Sequence, residues 1–209
     1  MAAFKSVHQL GIKAVEFDVR ITKDGVPIVM HDSVLFRTTK GCKPLTKIKK
    51  LNYSYIQKNC RLRNNESVPT LEDVLSYFYD KDIMLFPEFK DFPSPTAIFL
   101  MEKYYKDNPH RLGIMASTKV QDYLREQSAF FYSTKSIVGP FKKEEKNGYD
   151  GVSLPLSHLS WMSKQKDLIT IVWTLDSKRK IKKALKAGVD FITTNKPRVC
   201  LYLKAQESV

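Results

Sequence analysis

The stretch Glu16-Phe17-Asp18-Val19-Arg20-Ile21-Thr22-Lys23-Asp24-Gly25-Val26-Pro27-Ile28-Val29-Met30-His31-Asp32 decides how this chain is read. Two β-rich runs flank Asp24-Gly25, a pair suited to the positive-φ backbone of a tight hairpin turn. A two-residue turn at Asp24-Gly25 sets Asp18 across from His31 and Glu16 across from Ser33. Directly opposed residues share one face, with Cβ atoms about 4.5–5.5 Å apart. Glu16 and Asp18 are two apart on a strand, so they share that face as well. One short segment is therefore expected to gather two carboxylates and an imidazole. That set suits a hard metal ion with an acid or base beside it.

Further along, Pro87-Glu88-Phe89-Lys90 ends a second apolar run. Glu88 and Lys90 again share a strand face. Glu88 can add a third carboxylate ligand, and the Lys90 ammonium can hold a phosphate oxygen as a point charge. Each motif alone has a plainer reading, as an ion pair, a solvated strand face or a loop hydrogen bond. What argues for a site is their joint placement at strand ends, because barrel enzymes carry their chemistry at the C-terminal ends of the strands.

Short apolar runs at 12–19, 83–89, 112–117, 130–133, 151–154, 168–175 and 191–194 alternate with helical patterns at 71–79, 96–106, 119–127 and 178–187. Such alternation predicts α/β architecture with a parallel sheet. The runs are one short of a (β/α)8 barrel, and the chain opens on a helical pattern at 2–10. Either the sheet is open or a first strand is absent, and both leave unpaired edges. Residues 33–68 break the alternation and read as a small, loop-rich insertion. Thr70 is expected to cap the next helix, with Asp73 completing a capping box. The whole chain, 1–209, reads as one domain.

The composition, 43% hydrophobic and 27% charged, excludes a disordered chain. No apolar run reaches the length of a membrane span, and 1–13 lacks the apolar core of a signal peptide. A cytoplasmic or membrane-associated location is the expectation. The net charge of +13 suits either an anionic partner or a surface of solvated lysines with no partner. The densest basic run, Lys178-Arg179-Lys180 with Lys182, Lys183 and Lys186, has no nucleic-acid-binding signature around it, so no nucleic acid is expected. Cys42, Cys60 and Cys200 form no zinc or redox motif. Cys42 and Cys60 share one region, and unpaired thiols are expected there in preference to a disulfide. Asn52-Tyr53-Ser54 and Asn65-Glu66-Ser67 match the glycosylation acceptor pattern.

The segment AAFKSVHQLGIKAVEFDVRITKDGVPIVMHD resembles the core of the glycerophosphodiester phosphodiesterase family. VPTLEDVLSYF, LFPEFK, GYDGVSLP, ITIVWTLD and KKALKAGVDFITTNKP follow in the family's order. The resemblance implies a TIM-type (β/α)8 barrel of the phosphodiesterase kind without its first strand. It implies a hydrolase of glycerophosphodiesters or lysophospholipids in lipid metabolism, using one divalent ion, Mg²⁺ or Ca²⁺. Glu16, Asp18 and Glu88 match the metal carboxylates and His31 one of two catalytic histidines. Lys90 matches the phosphate-contacting lysine, and Trp173 a substrate-pocket aromatic. The implied partner is a small anionic phosphodiester or lysophospholipid, with peripheral membrane contact. The family's first strand ends in His-Arg-Gly before a Pro-Glu-Asn-Thr loop, and neither motif occurs in this sequence. His8, on the first predicted helix, does not replace that histidine. The alternative is thus a catalytically inactive or truncated member. A phospholipase D-like toxin of the same barrel type and a pure binding module are the remaining readings.

Overall fold

The computed structural model describes residues 1–139 and 148–207. Its elements run α1 (Ala2–Gln9), β1 (Ala14–Ile21), β2 (Pro27–Val29), β3 (Thr39–Lys40), α2 (Tyr53–Asn59), β4 (Arg61–Leu62), α3 (Leu71–Phe78), β5 (Met84–Phe89) and α4 (Pro95–Tyr105). There follow β6 (Gly113–Ala116), α5 (Thr118–Gln127), β7 (Lys135–Val138), β8 (Gly151–Pro155), α6 (Leu159–Met162), β9 (Ile169–Trp173), α7 (Lys178–Lys186), β10 (Phe191–Ile192) and α8 (Pro197–Glu207). The main sheet has the order β10-β9-β8-β7-β6-β5-β1-β2. Its strands run parallel except β2, which turns back on β1. This is the α/β architecture that the alternation predicts, in the TIM-barrel-like form that the family resemblance implies.

Side-chain alternation explains how the sheet is covered. Val15, Phe17 and Val19 of β1 and Leu85 and Phe89 of β5 join the buried cluster beneath α3, α4 and α5. The intervening residues face the other way. There Phe86, Met115, Ile137 and Ile171 form an inner layer joined by Ala14 and Phe191. The period of 2 thus puts aliphatic and aromatic residues under the helices and leaves Glu16, Asp18 and Glu88 on the concave side. Gly113 is required by this layer, since a Cβ there would lie 2.4 Å from the Phe86 ring. The Thr70 capping box forms as expected: Thr70 Oγ1 accepts from Asp73 N–H, and the Asp73 carboxylate accepts from Thr70 N–H at 2.8 Å.

Among the described residues the sheet does not close: β10 pairs only with β9, and the first half of β1 has β5 alone as a partner. The two edges face a cavity of about 260 Å³ lined by Val15, Phe86, Phe191, Ile192, Cys200 and Leu201 among others. The unpaired edges expected from the strand count are therefore present, on either side of an apolar gap.

Three expectations need correction. The run 130–133 is no strand. It forms a turn of 3-10 helix at Ala129–Tyr132, with Phe131 buried, and the strand follows at Lys135–Val138. Phe130 and Phe131 stack edge to face at 5.1 Å, so their apolarity serves helix packing. The insertion 33–68 is more ordered than its weak periodicity suggests. β3 and β4 pair within it, and Leu35, Ile48, Leu51, Ile56 and Cys60 build a small core against Ile28 and Met30. Cys42 and Cys60 form a disulfide, in place of the expected free thiols. Folding of the insertion brings their Cα atoms to 4.9 Å, a proximity that their sequence separation of 18 conceals.

Candidate metal centre and active-site cavity

Parallel pairing of β1 with β5 aligns Asp18 with Glu88 and Glu16 with Phe86. All face the concave side, so the strand register alone brings the carboxylates together. Glu16, Asp18 and Glu88 each offer a ligand oxygen, and these atoms lie within 4.8 Å of one another. Lys90, just past β5, places Nζ 3.1 Å from Asp18 Oδ1 and also pairs with Glu88 Oε1. Burial opposes the charge on Lys90, but Glu88 and Asp18 outweigh it and hold its proton above the ordinary lysine range. Glu16 is pushed up to about 8 by burial, then by Asp18 and Glu88, with Lys90 only partly offsetting them. The cluster thus holds more negative charge than one ammonium neutralises. Its hard oxygen donors fit a divalent cation of the Mg²⁺ or Ca²⁺ type.

His31 arrives by a different route from the one the sequence suggests. The β1–β2 turn has three residues, Lys23-Asp24-Gly25, with Thr22 N–H donating to Val26 O and Gly25 at φ +80°. This is a type I turn closed by a glycine bulge. The register moves by one, pairing Val19 with Val29, and Asp18 lies across from Met30, whose N–H donates to Asp18 O at 2.9 Å. His31 is beyond the end of β2, where both Arg20 Nε and Nη2 donate to its carbonyl. From there the imidazole lines the same cavity as Asp18.

Its orientation is fixed by Asp32 and Arg37. His31 Nδ1 lies 2.9 Å from Asp32 Oδ1. Arg37 donates to the same carboxylate twice, from Nε at 2.8 Å and Nη2 at 3.0 Å. Hydrogen bonds from Arg37 and His31 draw Asp32 down to about 2, so it is ionised at neutral pH and only accepts. His31 Nδ1 must then carry a proton, which leaves Nε2 for chemistry. Arg37 escaped the sequence reading because its partnership with Asp32 exists only once the insertion folds.

These residues line a cavity of about 810 Å³ at the C-terminal strand ends. Trp173, the last residue of β9, is on its wall and exposed. Two further lining residues had no signal in the sequence. Ser153 on β8 is buried, and among the described residues its Oγ has no hydrogen-bond partner, an unsatisfied polar atom at a cavity wall. Asn195 is held by Asp176, whose Oδ1 accepts from Asn195 N–H at 2.8 Å and Oδ2 from its side-chain amide at 2.9 Å. His8 is on α1 against Tyr77, with Nδ1 3.2 Å from the phenol oxygen, and does not line the cavity.

The model of the glycerophosphoryl diester phosphodiesterase family matches residues 1–123. This chain belongs to that family. A glycerophosphodiester phosphodiesterase of Caldanaerobacter subterraneus subsp. tengcongensis is 28% identical over 223 residues, covering 97% of this chain and 90% of the relative. Glycerophosphodiester phosphodiesterase 1 of Bos taurus is 33% identical over 117 residues, with 52% of this chain and 34% of the relative covered. The chain thus spans about a third of that mammalian protein. Among solved structures, a glycerophosphodiester phosphodiesterase from Parabacteroides distasonis superposes with a TM-score of 0.81 at 22% identity, covering 100% of this chain and 90% of the other. An Oleispira antarctica phosphodiesterase, solved with the product sn-glycerol-3-phosphate, gives 0.78 at 19% identity over 97% of this chain and 89% of the other. As a glycerophosphoryl diester phosphodiesterase family member, the chain keeps a carboxylate cluster, a lysine and one histidine around its cavity.

Proposed function

We infer that this chain is a metal-dependent phosphoric diester hydrolase acting on glycerophosphodiesters or lysophospholipids. The observation that carries this reading is the convergence of Glu16, Asp18, Glu88, Lys90 and His31 on one cavity. Glu16, Asp18 and Glu88 would hold one divalent ion, Mg²⁺ or Ca²⁺. Bound there, it would neutralise the phosphodiester and polarise its phosphoryl oxygens. Lys90 adds positive charge beside the phosphate as charge develops. A water attacks phosphorus and forms the new P–O bond as the bond to the alkoxide breaks. His31, acting as the imidazolium with Nδ1–H held by Asp32, gives its Nε2 proton to the leaving alkoxide, and the proton of the attacking water passes to solvent. Trp173 offers an aromatic wall to the substrate, and Ser153 Oγ an uncommitted hydrogen bond. The reading includes a peripheral encounter with the bilayer that supplies such lipids.

A second reading, an inactive or truncated member, is favoured by the gap between β1 and β10 and by a cavity whose lining includes a single histidine, His31. The deciding experiment is an assay on glycerophosphocholine with Mg²⁺ or Ca²⁺, paired with thermal unfolding with and without the ion. Turnover that EDTA and Glu16→Ala both abolish supports the hydrolase. Metal-dependent stabilisation without turnover supports the inactive reading. If the metal has no effect on either, the assignment of Glu16, Asp18 and Glu88 is wrong.

A further inference from the structure

Residues 33–65 carry nine Lys or Arg and no Asp or Glu. Six of these cations, Arg37, Lys40, Lys43, Lys47, Lys49 and Lys50, fall within residues 33–50, and Arg37 lines the cavity. Arg37 is committed to Asp32. Lys40, Lys47, Lys49 and Lys50 are exposed, and among the described residues no ion pair involves them. Large apolar side chains stand out of this same basic surface. Leu45 is 78% exposed and Phe36 57% exposed. Leu45 is at a turn with φ +59°, a backbone state that a branched aliphatic residue rarely adopts. Nothing in the insertion's core uses either side chain. A third, Phe92, follows the end of β5, stacks on Tyr123 at 5.4 Å and is 57% exposed. A crevice lined by Arg20, Ser33, Asp91, Lys47, Ile48 and Lys49 lies between the residues that follow β5 and the insertion.

A scattered exposed leucine carries no message. Leucine and phenylalanine at the tips of a cationic unit, stapled by a disulfide and folded on its own small core, match what holds a protein at a lipid interface. Apolar tips enter the acyl boundary while cations meet anionic headgroups. We propose that the 33–68 insertion is a docking surface for an anionic phospholipid bilayer, with Phe36 and Leu45 as apolar anchors and Lys40, Lys47, Lys49 and Lys50 as headgroup contacts. His31 and Arg37, at the start of the same unit, line the cavity, so docking would set the cavity mouth close to the lipid. The other dense basic run, on α7, has no such tips: Ile181 and Ala184 are buried, and Leu185 is half-buried against the same cluster. An RNA partner would use the lysines without the leucine and phenylalanine.

The proposal extends the hydrolase reading by bringing its substrate from a bilayer. Vesicle binding is measured without turnover, so the two fail separately. The test is co-sedimentation of the full chain with phosphatidylcholine vesicles and with vesicles containing phosphatidylserine, at low and physiological salt. Binding is expected only with phosphatidylserine, weakening as salt rises. The variant Lys49→Glu with Lys50→Glu should lose binding by at least tenfold, at about fivefold per cation removed. Phe36→Ser with Leu45→Ser should lose roughly fivefold or more while leaving the salt dependence in place. All four positions are exposed, and a circular dichroism melt confirms folding. Binding that survives both variants but disappears on Lys178→Glu with Lys182→Glu would overturn the proposal in favour of α7. Binding that ignores Phe36 and Leu45 and is matched by single-stranded RNA would overturn it in favour of a nucleic-acid partner. Absence of vesicle binding at any salt overturns it outright.

Discussion

The two walls of the cavity are built on different principles. The carboxylate wall is made by strands. β1 and β5 pair from Ala14 and Met84 to Val19 and Phe89, and each side chain's direction follows from its place in the alternation. The histidine wall is made by a turn, a chain reversal and a chain of side-chain contacts from Arg37 through Asp32 to His31. The first stands on the main core; the second leans on the insertion, whose core is small and carries a disulfide. The difference teaches that a carboxylate cluster can be positioned by a sheet, while the imidazole beside it depends on a separately stabilised unit.

The strongest challenge to this contrast is at the carboxylates. Glu88→Ala is expected to reduce hydrolysis of glycerophosphocholine by roughly a thousandfold and to remove metal-dependent stabilisation in a thermal melt, with the fold retained. A melt in which added Ca²⁺ or Mg²⁺ still stabilises Glu88→Ala would separate the carboxylates from metal binding. Next in size, Cys60→Ser should cost about 3 kcal/mol, the closure entropy of a loop of this length. Hydrogen exchange should locate the loss in residues 33–68 and leave β1 and β5 protected. Uniform loss of protection would show that the two walls form one cooperative unit.

Arg37→Met sharpens the comparison from the other side. It should lower kcat by about tenfold through loss of His31 orientation, with metal affinity unchanged. A fall in metal affinity would mean that the walls are coupled. The smallest effect concerns pH. The carboxyl of Glu16 has its pKa raised from 4.5 to about 8 on folding. The folded state therefore binds the extra proton between those values, and this contribution, full below about 4.5, is lost as pH rises through 8. In EDTA the wild-type melting temperature should fall by a few degrees more than that of Glu16→Gln between pH 5 and pH 9. Parallel curves for the two proteins would show that Glu16 carries no such strain.

Much of this was legible in the chain itself. Strand alternation in β1 and the Glu88-x-Lys90 spacing at the end of β5 are local properties, so Glu16 with Asp18, and Glu88 with Lys90, could each be placed on one strand face from spacing alone. Helices α3, α4, α5 and α7 were legible for the same reason. The 130–133 run was misread because a short apolar run has no period to separate strand from helix. His31 was assigned to the cavity with the wrong register, since Asp-Gly serves both a two-residue turn and a three-residue turn with a bulge. Ser153 and Asn195 gave no sign, because a serine or asparagine becomes informative only when burial removes its water.

By itself, the sequence determined the α/β alternation, the inward carboxylates and lysine, the open edges of the sheet and the basic character of the insertion. These depend on neighbours within a few residues, where pleat and helical pitch dictate direction. The tertiary structure alone decided the Cys42–Cys60 bridge, the Arg37–Asp32–His31 chain, the orphaned Ser153 hydroxyl and the elevated pKa of Glu16. Each of these comes from groups distant in sequence meeting where water has been excluded, and neither that proximity nor that dryness is encoded in any local pattern.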